Sequence, residues 1–186
     1  MYILASNSPR RKKLLEDAGV SFTVFALDVD ETVVEKMKPE KIVTMLAKRK
    51  AAAVFEHRPN DIIIAADTIV VKDGEVLGKP KDEQDAFRML KLLDDDRHEV
   101  YTGVCILSSQ KEVQFFTLAE VWMKNYSDLQ IYEYIKTGEP MDKAGSYAIQ
   151  GLGEQFVDHY SGDFFTIVGL PLKQLLQELK TFEEAK

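Results

Sequence analysis

Short apolar runs alternate with segments of helical periodicity along the 186 residues, which predicts a layered α/β or α+β fold. The apolar runs and the alternating segments predict strands at 2–5, 22–29, 62–71, 75–77, 99–107, 114–124, 146–150 and 164–168. The strongest of these is 62–71, and Asp73-Gly74 is typical of a tight hairpin turn directly after it.

Apolar residues spaced three or four apart predict helices at 8–18, 39–56, 82–93, 127–136 and 172–182. Ser8 is the expected N-cap of the first helix, with Pro9 at its first position and Gly19 at its end. Ser127 is expected to cap the fourth helix. No segment is rich enough in Gly, Ser or Pro to be a linker, so residues 1–186 are predicted to form a single domain, with room for two lobes.

Composition narrows the class of protein. A net charge of −7 disfavours broad nucleic-acid binding, which needs a basic face. No apolar run approaches the roughly 20 residues needed to span a bilayer, and the first residues do not look like a signal peptide. The single cysteine, Cys105, lies in an apolar run and is expected to be a small buried side chain. We therefore expect a cytoplasmic protein with no membrane partner.

The first turn of the first helix is Arg10-Arg11-Lys12-Lys13, which breaks a local rule. Cations at a helix N-terminus are unfavourable by about 0.3–1 kcal/mol each when exposed. An anion would reverse this penalty, because the Ser6 and Ser8 hydroxyls, the free backbone N–H groups and the guanidinium groups could surround a phosphate. The alternative is a solvated basic turn whose lysines point outward.

Asp67 lies inside the apolar run 62–71 and is therefore expected to be partly buried. An unpaired buried charge is costly, so the carboxylate needs a metal ion, a lysine or a hydrogen-bond network as its partner. Functional carboxylates often have such surroundings. A structural aspartate bonded to backbone amides is the alternative.

Other candidates are weaker by themselves. Asp28, Asp30 and Glu31 could supply oxygen ligands to Mg²⁺ or Mn²⁺, or could form a solvated acidic loop. Lys79 is held between Gly78 and Pro80, while Gln150 precedes a Gly-x-Gly segment that permits close approach of a ligand or forms a plain turn. The three histidines show no metal-ligand spacing, so a divalent metal bound by oxygen atoms and phosphate fits the residues best.

Seven short stretches in order give the chain a resemblance to a known family. They are Ala5-Ser6-Asn7-Ser8-Pro9-Arg10-Arg11, Leu46-Ala47-Lys48-Arg49-Lys50-Ala51, Ala66-Asp67-Thr68, Gly78-Lys79-Pro80, Met141-Asp142-Lys143-Ala144-Gly145, Tyr147-Ala148-Ile149-Gln150-Gly151 and Val168-Gly169-Leu170-Pro171. Together they resemble the Maf family of nucleotide pyrophosphatases over residues 4–171. One tripeptide would be weak evidence, whereas seven in order are specific.

The resemblance implies an elongated, bent mixed sheet flanked by helices, with a cleft between two lobes, similar to inosine triphosphate pyrophosphatase. It also implies hydrolysis of a nucleoside triphosphate to the monophosphate and pyrophosphate with a divalent cation, Mg²⁺ or Mn²⁺. One subgroup of the family acts on dTTP and UTP, and another on 7-methyl-GTP. The family was first associated with inhibition of septum formation.

The resemblance assigns roles to residues at the matching positions. Asp67 matches the catalytic proton acceptor, and Glu31 matches an acidic position near the metal, which Asp67 could also bind. The phosphate-contacting positions correspond to Ser6, Arg11, Lys50 and Lys79. The positions that sort the substrate subgroups correspond to Arg10, Thr68 and Gln150.

Arg10 and Gln150 stand where the methylated-guanine subgroup has an aromatic residue and Glu, so both favour dTTP and UTP. CTP, modified pyrimidine nucleotides and a house-cleaning role in the nucleotide pool are further expectations. Ala119 replaces a threonine that is frequent in the family, which puts any role of a hydroxyl there in doubt.

Two functions remain open on the sequence. The first is catalysis, and the second is a nucleotide-binding regulator of cell division that needs no turnover. The phosphate-binding stretches cannot separate the two, because both use the same pocket. A homodimer is an open expectation for the oligomeric state.

Overall fold

Seven strands form one mixed sheet in the order β2-β1-β3-β5-β6-β7, with β4 paired to β3. The computed structural model describes residues 1–33 and 36–183. The strands are β1 (Tyr2–Leu4), β2 (Phe22–Val24), β3 (Ile62–Lys72), β4 (Glu75–Leu77), β5 (Arg97–Leu107), β6 (Glu112–Met123) and β7 (Val157–Gly162). Strands β1, β2 and β3 pair in parallel, whereas β3–β4 and β6–β7 are antiparallel pairs. The predicted α/β class is confirmed.

The described α-helices are α1 (Pro9–Asp17), α2 (Pro39–His57), α3 (Glu83–Leu93), α4 (Asp128–Lys136), α5 (Phe164–Val168) and α6 (Leu172–Glu183). Their caps follow the sequence signals. The Ser8 hydroxyl accepts a hydrogen bond from the Arg11 backbone N–H, and Ser127 forms a reciprocal capping box with Gln130. Asp73 and Gly74 both have positive φ, as the tight hairpin turn between β3 and β4 requires. None of these helices is long and apolar enough to cross a membrane.

Two predicted strands are wrong. Residues 146–150 are not a strand, because Ser146 ends the 3₁₀ turn Ala144–Ser146 with a left-handed backbone (φ 63°) and residues 147–150 form neither a strand nor a helix. Residues 164–168 form the short helix α5. Asp163, directly before this helix, accepts hydrogen bonds from the Phe165 N–H and the Thr166 hydroxyl. Periodicity alone does not separate a short apolar strand from a buried helical turn.

Strand β2 is shorter than predicted, and β7 was not predicted. Pairing of β2 ends at Val24 because its partner β1 ends at Leu4, so residues 25–29 continue as a loop. Strand β7 lies at the edge of the sheet, and residues 158–162 along it are exposed. An exposed edge strand carries little apolar signal, which explains why the pattern missed it.

The chain divides into two compact units, each with its own apolar core. Unit 1 comprises 1–67, 102–117 and 169–186, and its core packs β1, α2 and the centre of the sheet around Ile3, Ala47, Ile63 and Cys105. Burial raises the pKa of the Cys105 thiol to about 12, so the expected small buried side chain is confirmed. The predicted single domain over 1–186 stays a prediction.

Unit 2 comprises 68–101 and 118–168, and its core joins α3, α4 and the neighbouring strand segments. His98 is buried in this unit, and its Nε2 atom lies 2.6 Å from the Tyr147 hydroxyl oxygen. Burial lowers the pKa of His98 to about 3, the nearby Lys72 charge acts in the same direction, and Asp96 opposes them. The folded chain therefore holds this imidazole neutral.

We expect His98 to make the chain sensitive to acid. Its pKa is about 6.5 in an unfolded chain and about 3 in the folded one, so the unfolded state binds the proton first. The stabilisation is fully present above pH 6.5 and is lost as the pH falls toward 3. The slope is about 1.4 kcal/mol per pH unit. In urea unfolding between about pH 6 and 5, the free energy of unfolding should fall more steeply in wild type than in His98→Gln by about this slope, and equal slopes would contradict the prediction.

Candidate active site

One lysine in unit 1 contacts two carboxylates. Strand β3 places Asp67, helix α2 places Lys50, and the loop after β2 places Glu31. Lys50 Nζ lies 2.5 Å from Asp67 Oδ1 and 2.8 Å from Glu31 Oε1. The side chains of Asp67 and Lys50 are 10% and 17% exposed, whereas that of Glu31 is 50% exposed. The lysine is therefore the partner that the buried Asp67 needs, and one ammonium serves two carboxylates.

The loop that carries Glu31 is anchored by the residue next to Lys50. Arg49 Nη1 donates to the backbone carbonyls of Asp30 and Thr32, at 3.0 Å and 2.9 Å. The Asp30 carboxylate accepts a hydrogen bond from the Thr32 N–H within the same loop. The Glu31 carboxylate instead contacts Lys50. Sequence reasoning missed Arg49. The signal available was its place beside Lys50 in the stretch Leu46-Ala47-Lys48-Arg49-Lys50-Ala51.

A second group in unit 1 centres on Arg11. Its Nη1 donates to the Ser6 hydroxyl at 3.1 Å, and its Nε donates to the Gly169 carbonyl at 2.7 Å. The Ser6 hydroxyl also accepts from the Ser8 backbone N–H at 3.2 Å. A hydroxyl that accepts two hydrogen bonds still has its own proton to donate to a ligand. The Gly169 carbonyl as a partner of Arg11 was missed, although its stretch was noted.

The basic first turn of α1 separates into an inward and an outward part. Lys12 and Lys13 are exposed and form ion pairs with Glu16 and Asp17 one turn later. For these two lysines the solvated reading is confirmed. Arg11 instead turns inward, where burial lowers the pKa of its guanidinium and the negative charges of Asp67 and Glu31 act the other way. Arg10 is half-buried beside it, and its positive charge also lowers the Arg11 pKa.

Three candidate residues lie in unit 2. Thr68 follows Asp67 directly in β3 and is half-buried. Lys79 is exposed in the loop between β4 and α3, where the neighbouring Gly78 carbonyl accepts from the Gly145 N–H at 3.1 Å. Gln150 is exposed at the start of the 3₁₀ turn Gly151–Phe156. Their predicted roles in phosphate and base recognition stay predictions.

The 3₁₀ turn that begins after Gln150 is held by hydrogen bonds from its backbone to one side chain. The Glu139 carboxylate accepts hydrogen bonds from the Leu152 and Gly153 backbone N–H groups, at 3.1 Å and 2.9 Å. Gly151 has φ 78°, and a Cβ atom there would lie 2.4 Å from Glu139 Oε1. Glu139 therefore fixes the backbone that presents Gln150. Sequence reasoning had assigned no role to Glu139.

The oxygen atoms of Asp67 and Glu31 suit a hard divalent cation. Both carboxylates already approach one cationic atom, Lys50 Nζ, so they converge on a single position. Among residues 1–33 and 36–183, no group of three or more His, Cys, Asp and Glu side chains has the geometry to hold a metal ion. Mg²⁺ is usually held by one or two carboxylates together with water and substrate phosphates. The two carboxylates fit that arrangement.

Comparison with known proteins places the chain in a family. The family described as Maf-like protein matches residues 1–182. A protein of Acholeplasma laidlawii named dTTP/UTP pyrophosphatase is 50% identical, and the match covers 98% of this chain and 96% of that protein. A protein of Bacillus cytotoxicus with the same name is 50% identical, over 98% of this chain and 95% of its own length.

One solved structure supports the fold. The chain is similar to the Staphylococcus aureus Ham1 protein, with a TM-score of 0.50 and 15% identity over 98% of each chain. At this identity the likeness concerns the fold alone. It agrees with the mixed sheet and flanking helices described above.

Proposed function

We propose that this chain, which belongs to the Maf family, hydrolyses nucleoside triphosphates to the monophosphate and pyrophosphate, with dTTP and UTP as substrates. The observation that carries the proposal is the buried Asp67 paired with Lys50 in the same unit as the Ser6–Arg11 group. Relatives named dTTP/UTP pyrophosphatase, at 50% identity over nearly the whole chain, support the choice of substrates.

Arg11 and Ser6 bind phosphate in this proposal. The Gly169 carbonyl and the Ser6 hydroxyl fix the direction of the guanidinium before a ligand arrives. A cationic group held in place by its own contacts stabilises a charged phosphate without the cost of reorganising. Burial in this position strengthens the interaction, since water screens a buried charge less. Lys79 is proposed as a further contact to the phosphates.

Asp67 accepts the proton of the attacking water in this proposal. The water oxygen forms a bond to the α-phosphorus, the bond from that phosphorus to the bridging oxygen breaks, and pyrophosphate leaves. Asp67 Oδ1 lies 2.5 Å from Lys50 Nζ, and its carboxylate can take up a proton or bind a cation. Asp67 and Glu31 would hold Mg²⁺ or Mn²⁺, which supplies charge stabilisation on the phosphate oxygens when bound.

Recognition of the base is assigned to three residues. Arg10 and Gln150 carry the side chains that distinguish the pyrimidine subgroup from the methylated-guanine subgroup, and Thr68 follows the catalytic carboxylate. Glu139 supports the backbone that presents Gln150. We extend the proposal to CTP, modified pyrimidine nucleotides and a house-cleaning role, and keep the cytoplasmic location and the homodimer as predictions.

Release of pyrophosphate from a panel of nucleotides tests the proposal. Purified chain is incubated with dTTP, UTP, CTP, dATP, GTP or 7-methyl-GTP, with Mg²⁺ or Mn²⁺, and pyrophosphate is measured. We expect release from dTTP and UTP well above release from the purine nucleotides. Tight binding of dTTP without any release would instead support the regulator of cell division. Faster release from 7-methyl-GTP would contradict the assignment of Arg10 and Gln150.

A further inference from the structure

We infer that Lys50 is a built-in counter-cation that occupies the position of the divalent metal until a nucleotide arrives. It thereby suppresses metal binding to the free chain and makes metal and nucleotide bind together. This inference rests on the proposed function, because it concerns the same site. It adds a regulatory role for a residue that the resemblance assigns only to phosphate contact.

The geometry places the ammonium where a metal would lie. Lys50 Nζ is within hydrogen-bond distance of Asp67 Oδ1 and Glu31 Oε1, the two oxygen atoms that would bind the metal. A metal ion bonds to carboxylate oxygens at about 2.0–2.6 Å, close to the separation that the ammonium takes up here. The two oxygen atoms therefore cannot hold the ammonium and a metal ion at the same position, so the Lys50 ammonium has to move away before the metal binds.

Charge explains why the lysine stays when no nucleotide is bound. The buried Asp67 and the half-exposed Glu31 carry two negative charges, which Lys50 and the nearby Arg11 balance. Entry of a divalent metal alone would add two positive charges while Lys50 and Arg11 remain close by. Like charges at this range repel, and burial strengthens the repulsion. Metal binding to the free chain is therefore opposed twice, by competition and by repulsion.

A nucleotide removes both obstacles. The triphosphate brings several negative charges, so it offers the displaced ammonium a new partner and balances the metal. Lysine suits such a change, because its ammonium is a point charge on a flexible four-carbon stem, whereas the planar group of Arg11 is held at two atoms. Lys50 then contacts phosphate, and the carboxylates bind the metal. Binding of the two ligands is coupled, and the coupling is reciprocal.

The arrangement differs from an ordinary surface ion pair on the same helix. Lys48 pairs with Glu112 at 2.8 Å, and its side chain is 51% exposed. That pair links one lysine to one carboxylate. Lys48 therefore provides a matched control, since its substitution removes the same charge from α2 without touching Asp67 or Glu31.

Direct measurement of Mn²⁺ binding tests the inference. Free Mn²⁺ is counted by electron paramagnetic resonance in titrations of wild type, Lys50→Gln, Lys50→Met and Lys48→Gln, without nucleotide. We expect Lys50→Gln and Lys50→Met to bind Mn²⁺ about tenfold more tightly than wild type, a typical size for coupling between ligands. Lys48→Gln should match wild type. A non-hydrolysable analogue of dTTP should raise Mn²⁺ binding strongly in wild type and less in the Lys50 variants.

Equal Mn²⁺ affinity of wild type and a folded Lys50→Gln would overturn the inference. Lys50→Gln keeps an amide that can donate a hydrogen bond to Asp67, so the test still stands if Lys50→Met does not fold. A second measurement uses wild type alone. Acetylation of Lys50, read by peptide mass spectrometry against Lys48, should speed up when Mn²⁺ saturates the free chain and slow down with Mn²⁺ and the analogue. Unchanged reactivity of Lys50 under Mn²⁺ would also overturn it.

The results separate this inference from the proposed function. A wild type that releases no pyrophosphate from any nucleotide contradicts the function, whatever the metal affinities are. A wild type that turns over dTTP, beside Lys50 variants with no gain in Mn²⁺ affinity, contradicts the role of Lys50 alone.

Discussion

Asp67→Asn should lower the turnover of dTTP and UTP by about 1,000-fold while the chain keeps its fold. An amide cannot accept the proton of the attacking water, and general base catalysis is worth roughly 100- to 10,000-fold. The amide is also a weaker ligand for a divalent cation than the carboxylate it replaces. Pyrophosphate release at saturating nucleotide measures the loss, and circular dichroism with thermal unfolding checks the fold.

The fold should survive because Lys50 keeps a second partner. Glu31 lies 2.8 Å from the ammonium, so loss of the Asp67 charge leaves the lysine paired. Asp96→Asn is the matched control. Asp96 also accepts from a buried lysine, Lys72 at 2.6 Å, but it lies in unit 2 and its side chain is 58% exposed.

The control variant should keep near wild-type turnover with a small change in stability, as expected for a partly exposed ion pair. Turnover of Asp67→Asn within about tenfold of wild type would remove Asp67 from the reaction, since one base is worth at least 100-fold. Equal losses in the two variants would point to a general effect of removing a lysine partner.

Residues that break a rule within their own stretch of sequence could be identified from the sequence alone. Asp67 stands out because apolar residues flank it, and the Arg10–Lys13 turn because cations oppose the helix dipole. The structure gives Asp67 a lysine partner, which was one of the three partners left open. It also divides the basic turn, which composition alone could not do, since the inward direction of Arg11 and the outward direction of Lys12 depend on the residues that lie opposite them.

Residues that act through long-range contacts could not be identified from their own local pattern. Arg49 matters because two carbonyls of a loop 17 and 19 residues away accept from it. Glu139 matters because two backbone N–H groups 13 and 14 residues later reach its carboxylate. Neither side chain breaks a local rule. The same limit applies to β7, whose pairing with β6 is a property of the sheet and not of its own polar sequence.

Gly103→Ala should destabilise the chain by about 3 kcal/mol, near the upper end for overpacking a core. Gly103 lies in β5, where the backbone of α2 approaches it within unit 1. A Cβ atom there would lie 2.4 Å from the Val43 carbonyl carbon, 2.5 Å from its oxygen and 2.7 Å from the Thr44 nitrogen. These are backbone atoms, so no side-chain rotation relieves the clash and α2 itself has to shift.

The expected change in stability is opposite in sign to the usual effect of replacing glycine by alanine. Replacing glycine by alanine usually stabilises a chain by about 0.4–1 kcal/mol, through the unfolded state, where the backbone conformation allows it. Gly78→Ala is the matched control, because no atom outside its chain neighbours lies within 4 Å of a Cβ placed there and its φ lies outside the left-handed range. Urea unfolding should show Gly103→Ala well below wild type and Gly78→Ala within about 1 kcal/mol of it.

Helix α2 also carries Lys50, so the shift should reach the candidate site. Residue 43 lies two turns before residue 50 on the same helix, and a helix moves largely as a rigid element. A displacement of even about 1 Å near reacting groups can lower a rate by about 100-fold. Gly103→Ala should therefore lose turnover even at temperatures where it stays folded. Full activity in a folded Gly103→Ala would show that the close approach of α2 to β5 serves stability and does not set the position of Lys50.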